Sequence, residues 1–250
     1  GPGSTIGVGL AGMLAGAESI TGLDAYPFCN WAECLKVFDE LVELFRARTP
    51  IPSQGDFKNI RPNLADHSFP HDLLPDEKLE ECLAPERLQA IRSEIEKGGG
   101  ESIQYFAPWS GAEVLSGDSQ GWVLSQAVMQ HVVDPDAVHG ACAHWLSQGG
   151  YISHQINFGS HGITPKWNGH WAYSALAWKI IQGKRPFLIN RTPCSKHLSL
   201  IQSKEFNVLT SNQGSRDGGI SKRQVSRDCE LQDSDLSTIQ LFIVAQKPVH

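Results

Sequence analysis

The sequence predicts an α/β fold in which a doubly wound, mostly parallel sheet carries helices between its strands. Three observations lead there. Short runs rich in β-branched and aromatic residues (SITGLD, ESIQYF, GWVLSQ, YISHQINF, EFNVLT, STIQLFIVAQKP) alternate with segments of helical period. A glycine-rich start is followed by a helix-length interval and a short strand ending in an acid, Asp24. Repeats and low-complexity segments are absent.

The start holds two glycine clusters, GPGS at residues 1–4 and GVGLAG at 7–12. GVGLAG is a literal G-x-G-x-x-G, the fingerprint of dinucleotide loops. As the loop, however, it would leave only Met13-Leu14-Ala15 for the following helix, less than one turn. With GPGS as the loop, Thr5 to Ala15 supplies about three turns, Gly16 serves as the C-terminal cap, and the spacing to Asp24 is the expected 20 or so residues. The glycines at 7, 9 and 12 then lie inside the helix and permit close approach to the sheet. GVGLAG is a decoy, and Gly1, Gly3 and Asp24 become the candidate cofactor-binding residues. Ile6 occupies the place of the third small residue that pyrophosphate loops need, which disfavours NAD or FAD and favours a nucleoside without phosphates. The strand that should precede such a loop is missing. Either the chain is a fragment that starts at its loop, or GPGS is a cloning scar.

Further along, residues 29–48 read as an amphipathic helix with Trp31, Leu35, Phe38, Val42 and Phe45 on one face. Residues 49–75 are proline-rich and read as an ordered loop or lid, in which His67 and His71 are ordinary loop histidines. Two helical segments meet at Pro85, and Gly98-Gly99-Gly100 ends the second. Asp134-Pro135 starts another helix, for which Gly149-Gly150 is the expected stop. The chain reads as one domain over 1–250 with a helical or lid insertion at about 27–100.

Composition narrows the function. With 40% apolar residues, seven Trp and ten Phe, the chain can build a substantial core. A net charge of −6 argues against nucleic acid as a partner. The apolar run at 5–17 ends at Glu18, short of a membrane span, and lacks a basic n-region, so no membrane partner is expected. The six cysteines show no CxxC and read as the reduced thiols of a cytoplasmic protein.

VLSQAVMQHVVDPDAVHGACAHWLSQGGYISHQI resembles the region around strands four and five of the class I S-adenosylmethionine (SAM)-dependent methyltransferases. Asp24 after SITGL resembles their ribose-binding acid, and STIQLFIVAQKP their antiparallel last strand. The block from SHQINF through NRTPCSKHLSLI is similar to a recurring methyltransferase-like subfamily. The resemblance implies a Rossmann-like sheet with an antiparallel C-terminal strand, lacking its first, central strand, and it implies SAM as cofactor. Gly111 and Ala112 stand where the family often places an acid toward the adenine, and Gln130 where Glu is common. Ser125 and Gln126, ending strand four, complete the expected cofactor set.

Methyl transfer from a sulfonium needs alignment, and a base only when the acceptor must lose a proton. The loops from Gln126 to His131 and from Asn157 to His170 reach the C-terminal edge of the sheet, where an acceptor would sit. His131, His161 and His170 are the candidate catalytic bases. Asn157, Trp167, Trp171 and Tyr173 are the candidate substrate-binding residues, for a small molecule or saccharide methylated at oxygen. His154 alternates with Ile152 and Ile156 on one strand face and reads as a core histidine before a functional one. The spacing of His154, His161 and His170 matches no standard zinc pattern, so no metal is expected. Two other readings stay open: an NAD(P)-dependent oxidoreductase or epimerase, disfavoured by Ile6 and the lack of Tyr-x-x-x-Lys, and a catalytically silent SAM-fold binding domain.

Overall fold

The computed structural model describes residues 1–53, 55–56, 62, 64–185 and 187–249. It divides into two compact units, 1–110 and 111–250.

In the first unit the turn at Gly3-Ser4 leads into α1 (Gly7–Leu14), then β1 (Ile20–Leu23), α2 (Trp31–Arg46), α3 (Asp76–Cys82), α4 (Pro85–Glu96) and β2 (Ile103–Phe106). The strands pair in parallel, Ile20 opposite Ile103 through Leu23 opposite Phe106. α1 is GVGLAGML, so the G-x-G-x-x-G forms the helix itself and GPGS forms the turn before it. The helix is shorter than the expected Thr5–Ala15. Ile6 already departs from helical backbone (φ −91°, ψ 26°), no side chain caps the start, and three of its eight residues are glycine. Two of those glycines allow close packing: a Cβ on Gly9 would lie 2.8 Å from Ile20 Cδ1, and one on Gly7 2.9 Å from Val37 Cγ1. The end of α1 is closed by Arg87, whose guanidinium donates to the carbonyls of Met13 (3.0 Å) and Ala17 (2.7 Å).

α2 runs two residues inside the expected 29–48 at each end. The Asn30 side chain accepts from the N–H groups of Ala32 and Glu33, and Cys34, Phe38 and Val42 are buried. They share one core with Ile6, Leu10, Met13 and Leu14, with Ile91 and Ile95 of α4, and with Ile103 of β2. Pro85 opens α4 at its first turn, as expected. Part of the 49–75 segment lies outside the described residues; its last part, with Phe69 and Leu74, packs on Leu79 and Cys82 of α3.

The second unit contains β3 (Gln120–Gln126), α5 (Pro135–Trp145), β4 (Leu146–Asn157), α6 (Ala175–Gln182), α7 (Cys194–Ser203), β5 (Asn207–Ser215) and β6 (Thr238–Gln246). The sheet order is β3-β4-β6-β5; β3 and β4 are parallel, and β6 is antiparallel to both its neighbours. Asp134 caps α5 through the N–H groups of Asp136 and Ala137, as read. The expected stop at Gly149-Gly150 is wrong. α5 ends at Trp145 and β4 begins at once, with both glycines inside it. Gly149 sits at φ +77°, where the register against β3 shifts, and a Cβ on Gly150 would lie 2.9 Å from the Ser147 carbonyl oxygen. The glycines form a kink in the strand and do not cap the helix.

The α/β class and the antiparallel closing strand hold. Among the described residues β1 and β2 form one parallel pair, and β3 and β5 are the outer strands of the four-stranded sheet. No helix among the described residues is long and apolar enough to cross a membrane.

Candidate functional site

In the first unit the candidate site is the junction of the GPGS turn and the end of β1. Asp24 is buried at 7% exposure. Its backbone extends the parallel pairing, with its N–H donating to Phe106 O and its carbonyl accepting from Trp109 N–H, which fixes the direction of the side chain. The carboxylate accepts the Gly3 N–H on Oδ2 at 3.2 Å and the Ala25 N–H on Oδ1 at 2.9 Å. Gly3 has φ +77°, a conformation that favours glycine, and a Cβ on Gly1 would lie 3.1 Å from Asp24 Oδ1. Gly22 provides further close packing, since a Cβ there would crowd Pro2, Ile6 and Tyr105. Sequence spacing thus brings together the residues it nominated in this unit.

In the second unit the loops after β3 and β4 meet. The Asn157 N–H lies 3.5 Å from the Gln130 side-chain oxygen. The rings of His131 and His161 meet edge to face at 5.5 Å. His131 Nδ1 is 2.8 Å from the Phe187 carbonyl, an oxygen that only accepts, so Nδ1 carries the proton and Nε2 is the basic nitrogen. Burial first, and the neighbouring His131 second, hold the His161 imidazole below its ordinary value.

Beside this pair lies a narrow recess lined by Gln130, Asn157, His170, Ile189, Asn190 and Thr192, among others. Gln130 Nε2 and His170 Nδ1 are buried there without a hydrogen-bond partner among the described residues. His170 is 2% exposed, packs at 4.6 Å on the Trp171 ring, and is pushed down to about 3 by burial, with smaller contributions from Arg191 and His161. It is neutral at physiological pH and a weak base.

Sequence reasoning passed over one segment of this site. Asn190 donates its side-chain N–H groups to the carbonyls of Met129 (2.8 Å) and Val132 (2.9 Å), and its backbone N–H to Gln130 O (2.6 Å). It thereby ties residues 189–192 to the loop after β3. The one signal was its place in the RPFLINRTP string.

The remaining nominated residues are placed differently. Trp167, Trp171 and Tyr173 do not line the recess. Trp171 is fully buried, and its indole N–H donates to the Arg191 carbonyl at 3.0 Å. Gly111, at φ +81°, precedes a short turn of helix, and the Ala112 carbonyl accepts the Trp145 indole N–H at 2.6 Å. Gln126 is exposed at the end of β3. Ser125 Oγ lies 2.8 Å from Nδ1 of His154, its partner across β3 and β4.

His154 belongs to a buried imidazole cluster with His139 of α5 and His197 of α7. Their ring centroids are 5.6 Å apart for 139–154 and 5.5 Å for 139–197, and His139 Nε2 lies 3.2 Å from His197 Nδ1. Burial lowers all three, to about 4 for His139 and about 3 for His154 and His197. The core reading of His154 holds.

No protein-family model matches this chain, and no curated protein matches it. Solved structures do. A SAM-dependent methyltransferase from Methanosarcina mazei is similar at 14% identity and a TM-score of 0.48, over 100% of this chain and 91% of that one. A SAM-dependent methyltransferase from Mesorhizobium loti is similar at 14% identity and a TM-score of 0.38, over 70% and 77%. Haemonchus contortus phosphoethanolamine N-methyltransferase 2, in complex with SAM, is similar at 13% identity and a TM-score of 0.38, over 67% and 41%.

Proposed function

We propose that this chain is an enzyme that transfers a methyl group from SAM to a small-molecule or saccharide acceptor, at oxygen. The observation that carries the reading is the contact between the glycine turn and Asp24. A buried carboxylate at the end of a parallel strand, touched by a loop N–H, suits the two ribose hydroxyls of a nucleoside cofactor. Glycine at position 1 supports the reading, since a side chain there would crowd the carboxylate.

When bound, SAM supplies an electrophilic methyl on a sulfonium. Asp24 orients the cofactor through charge-assisted hydrogen bonds, each worth roughly 1.5–3 kcal/mol. In the second unit, Gln130, Asn157 and His170 line one narrow recess, and Gln130 Nε2 and His170 Nδ1 are buried without partners among the described residues. His131 accepts the hydroxyl proton at Nε2, held in that tautomer by the Phe187 carbonyl, with the neutral His161 ring beside it. All six cysteines are free thiols, in keeping with a reducing, cytoplasmic setting.

The test is calorimetric titration with S-adenosylhomocysteine and, separately, NADH. Binding of S-adenosylhomocysteine that is lost in Asp24→Ala supports the reading. Binding of NADH alone sinks it in favour of an oxidoreductase. Binding of S-adenosylhomocysteine with no turnover of SAM across acceptor panels favours the silent domain.

A further inference from the structure

The net charge of −6 conceals a strong asymmetry. Between Ala137 and Lys204 there is no Asp or Glu, while Lys166, Lys179, Lys184, Arg185, Arg191, Lys196 and Lys204 all fall in this stretch. α6 lies at its centre. Trp178 is buried on one side of this helix. On the other side Leu176 and Ile180, one turn apart, are 70% and 72% exposed. Lys179 is exposed next to this ridge, and Lys184 and Arg185, both exposed, follow the C-terminal end of the helix. The Arg185 guanidinium donates to the Ile181 carbonyl and keeps its charge at that end. At the opposite end of α6, the Asp228 carboxylate accepts the Ala175 N–H at 2.6 Å.

We infer that α6 is a docking face for an anionic lipid surface. Two aliphatic side chains held out in water, with long cationic side chains beside them, match a helix that lies in the plane of a bilayer. There Leu176 and Ile180 enter the acyl boundary, while Lys179, Lys184 and Arg185 reach the headgroup phosphates. Nucleic acid would satisfy the same cations but give the aliphatic ridge nothing to bury against, so the lipid fits both halves of the surface. Net charge alone, which argues against a polyanionic partner, averages this face with acidic surface elsewhere in the chain. The inference is independent of the methyltransferase reading, because it uses none of the residues assigned to cofactor or acceptor.

The test is co-sedimentation of the full chain with vesicles of phosphatidylcholine, with and without about a third phosphatidylserine. Binding is expected to the anionic vesicles only and to weaken as salt rises. The Leu176→Ser/Ile180→Ser and Lys179→Glu/Lys184→Glu variants are each expected to reduce it at least about tenfold. All four side chains are exposed, so far-UV circular dichroism and melting temperature should match wild type and exclude misfolding as the cause. Failure to bind anionic vesicles, binding indifferent to either double variant, or retention by a duplex RNA or DNA probe in place of vesicles overturns the inference.

Discussion

Gly3 and Asp24 are 21 residues apart in sequence, and the amide of the first donates to the carboxylate of the second at 3.2 Å. This bond closes the glycine turn onto the end of β1. Asp24→Ala removes an acceptor for two backbone N–H groups, those of Gly3 and Ala25, and leaves them with poorer partners. The expected cost is about 1–3 kcal/mol of stability together with loss of S-adenosylhomocysteine binding. Asp24→Asn keeps a side-chain oxygen for one of the two bonds, and should recover part of the stability but little of the binding. Urea denaturation and calorimetry on the same preparations separate the two effects.

The glycines of α1 give a prediction of opposite signs. A Cβ on Gly12 meets nothing nearer than 4.0 Å, whereas one on Gly9 meets Ile20 Cδ1 at 2.8 Å. Gly12→Ala is expected to stabilise the chain by about 0.5–1 kcal/mol through helix propensity. Gly9→Ala should lose that gain to the displacement of Ile20. Neither change is expected to alter S-adenosylhomocysteine affinity. A large affinity loss in Gly12→Ala would return GVGLAG to the role of cofactor loop.

Acid should weaken the second unit through its three buried imidazoles. His139, His154 and His197 have folded values near 4, 3 and 3, against 6.5 in the unfolded chain. Below 6.5 the unfolded chain binds protons that the folded one refuses. The stability these groups contribute is therefore full above pH 6.5 and falls as pH drops toward 4 and 3. Asp136 opposes this at His139, and Lys204, paired to Asp136 at 2.8 Å, reinforces it. The loss should be on the order of 1–3 kcal/mol per group. His197→Phe is expected to flatten the fall in urea midpoint between pH 7 and 5, relative to wild type.

His131 is expected to matter through its proton and His170 through its position. His131→Gln should lower single-turnover formation of S-adenosylhomocysteine with a competent acceptor by about 10²–10⁴-fold, leaving cofactor affinity unchanged. His170→Gln should raise KM more than it lowers kcat, because a nitrogen lowered to about 3 has little basicity to lose. The reverse pattern would exchange the two roles.

Legibility in the sequence followed the range of the forces involved. Hydrophobic period and local capping found all six strands, the amphipathic face of α2, and the starts of α4 and α5. Gly149-Gly150 misled because the same residue type that ends a helix also kinks a strand; only pairing with β3 and β6 decides between them. The acid after β1 was readable from spacing alone. Asn190 was not, since its bonds to Met129 and Val132 span about 60 residues and leave no periodic trace. Trp171 drew attention as a pocket wall by its residue type, yet its indole N–H is satisfied by the Arg191 carbonyl inside the core.

The outer position of β3 has an optical consequence. Of the seven tryptophans, Trp122 on this strand is the one that is exposed, at 59%, and it stands on an outer strand of the four-stranded sheet among the described residues. Its indole emits from water while the others emit from partly or fully buried sites. The red edge of the fluorescence, and its quenching by acrylamide, therefore reports on this strand. Any segment or molecule that covers it will shift that light to the blue.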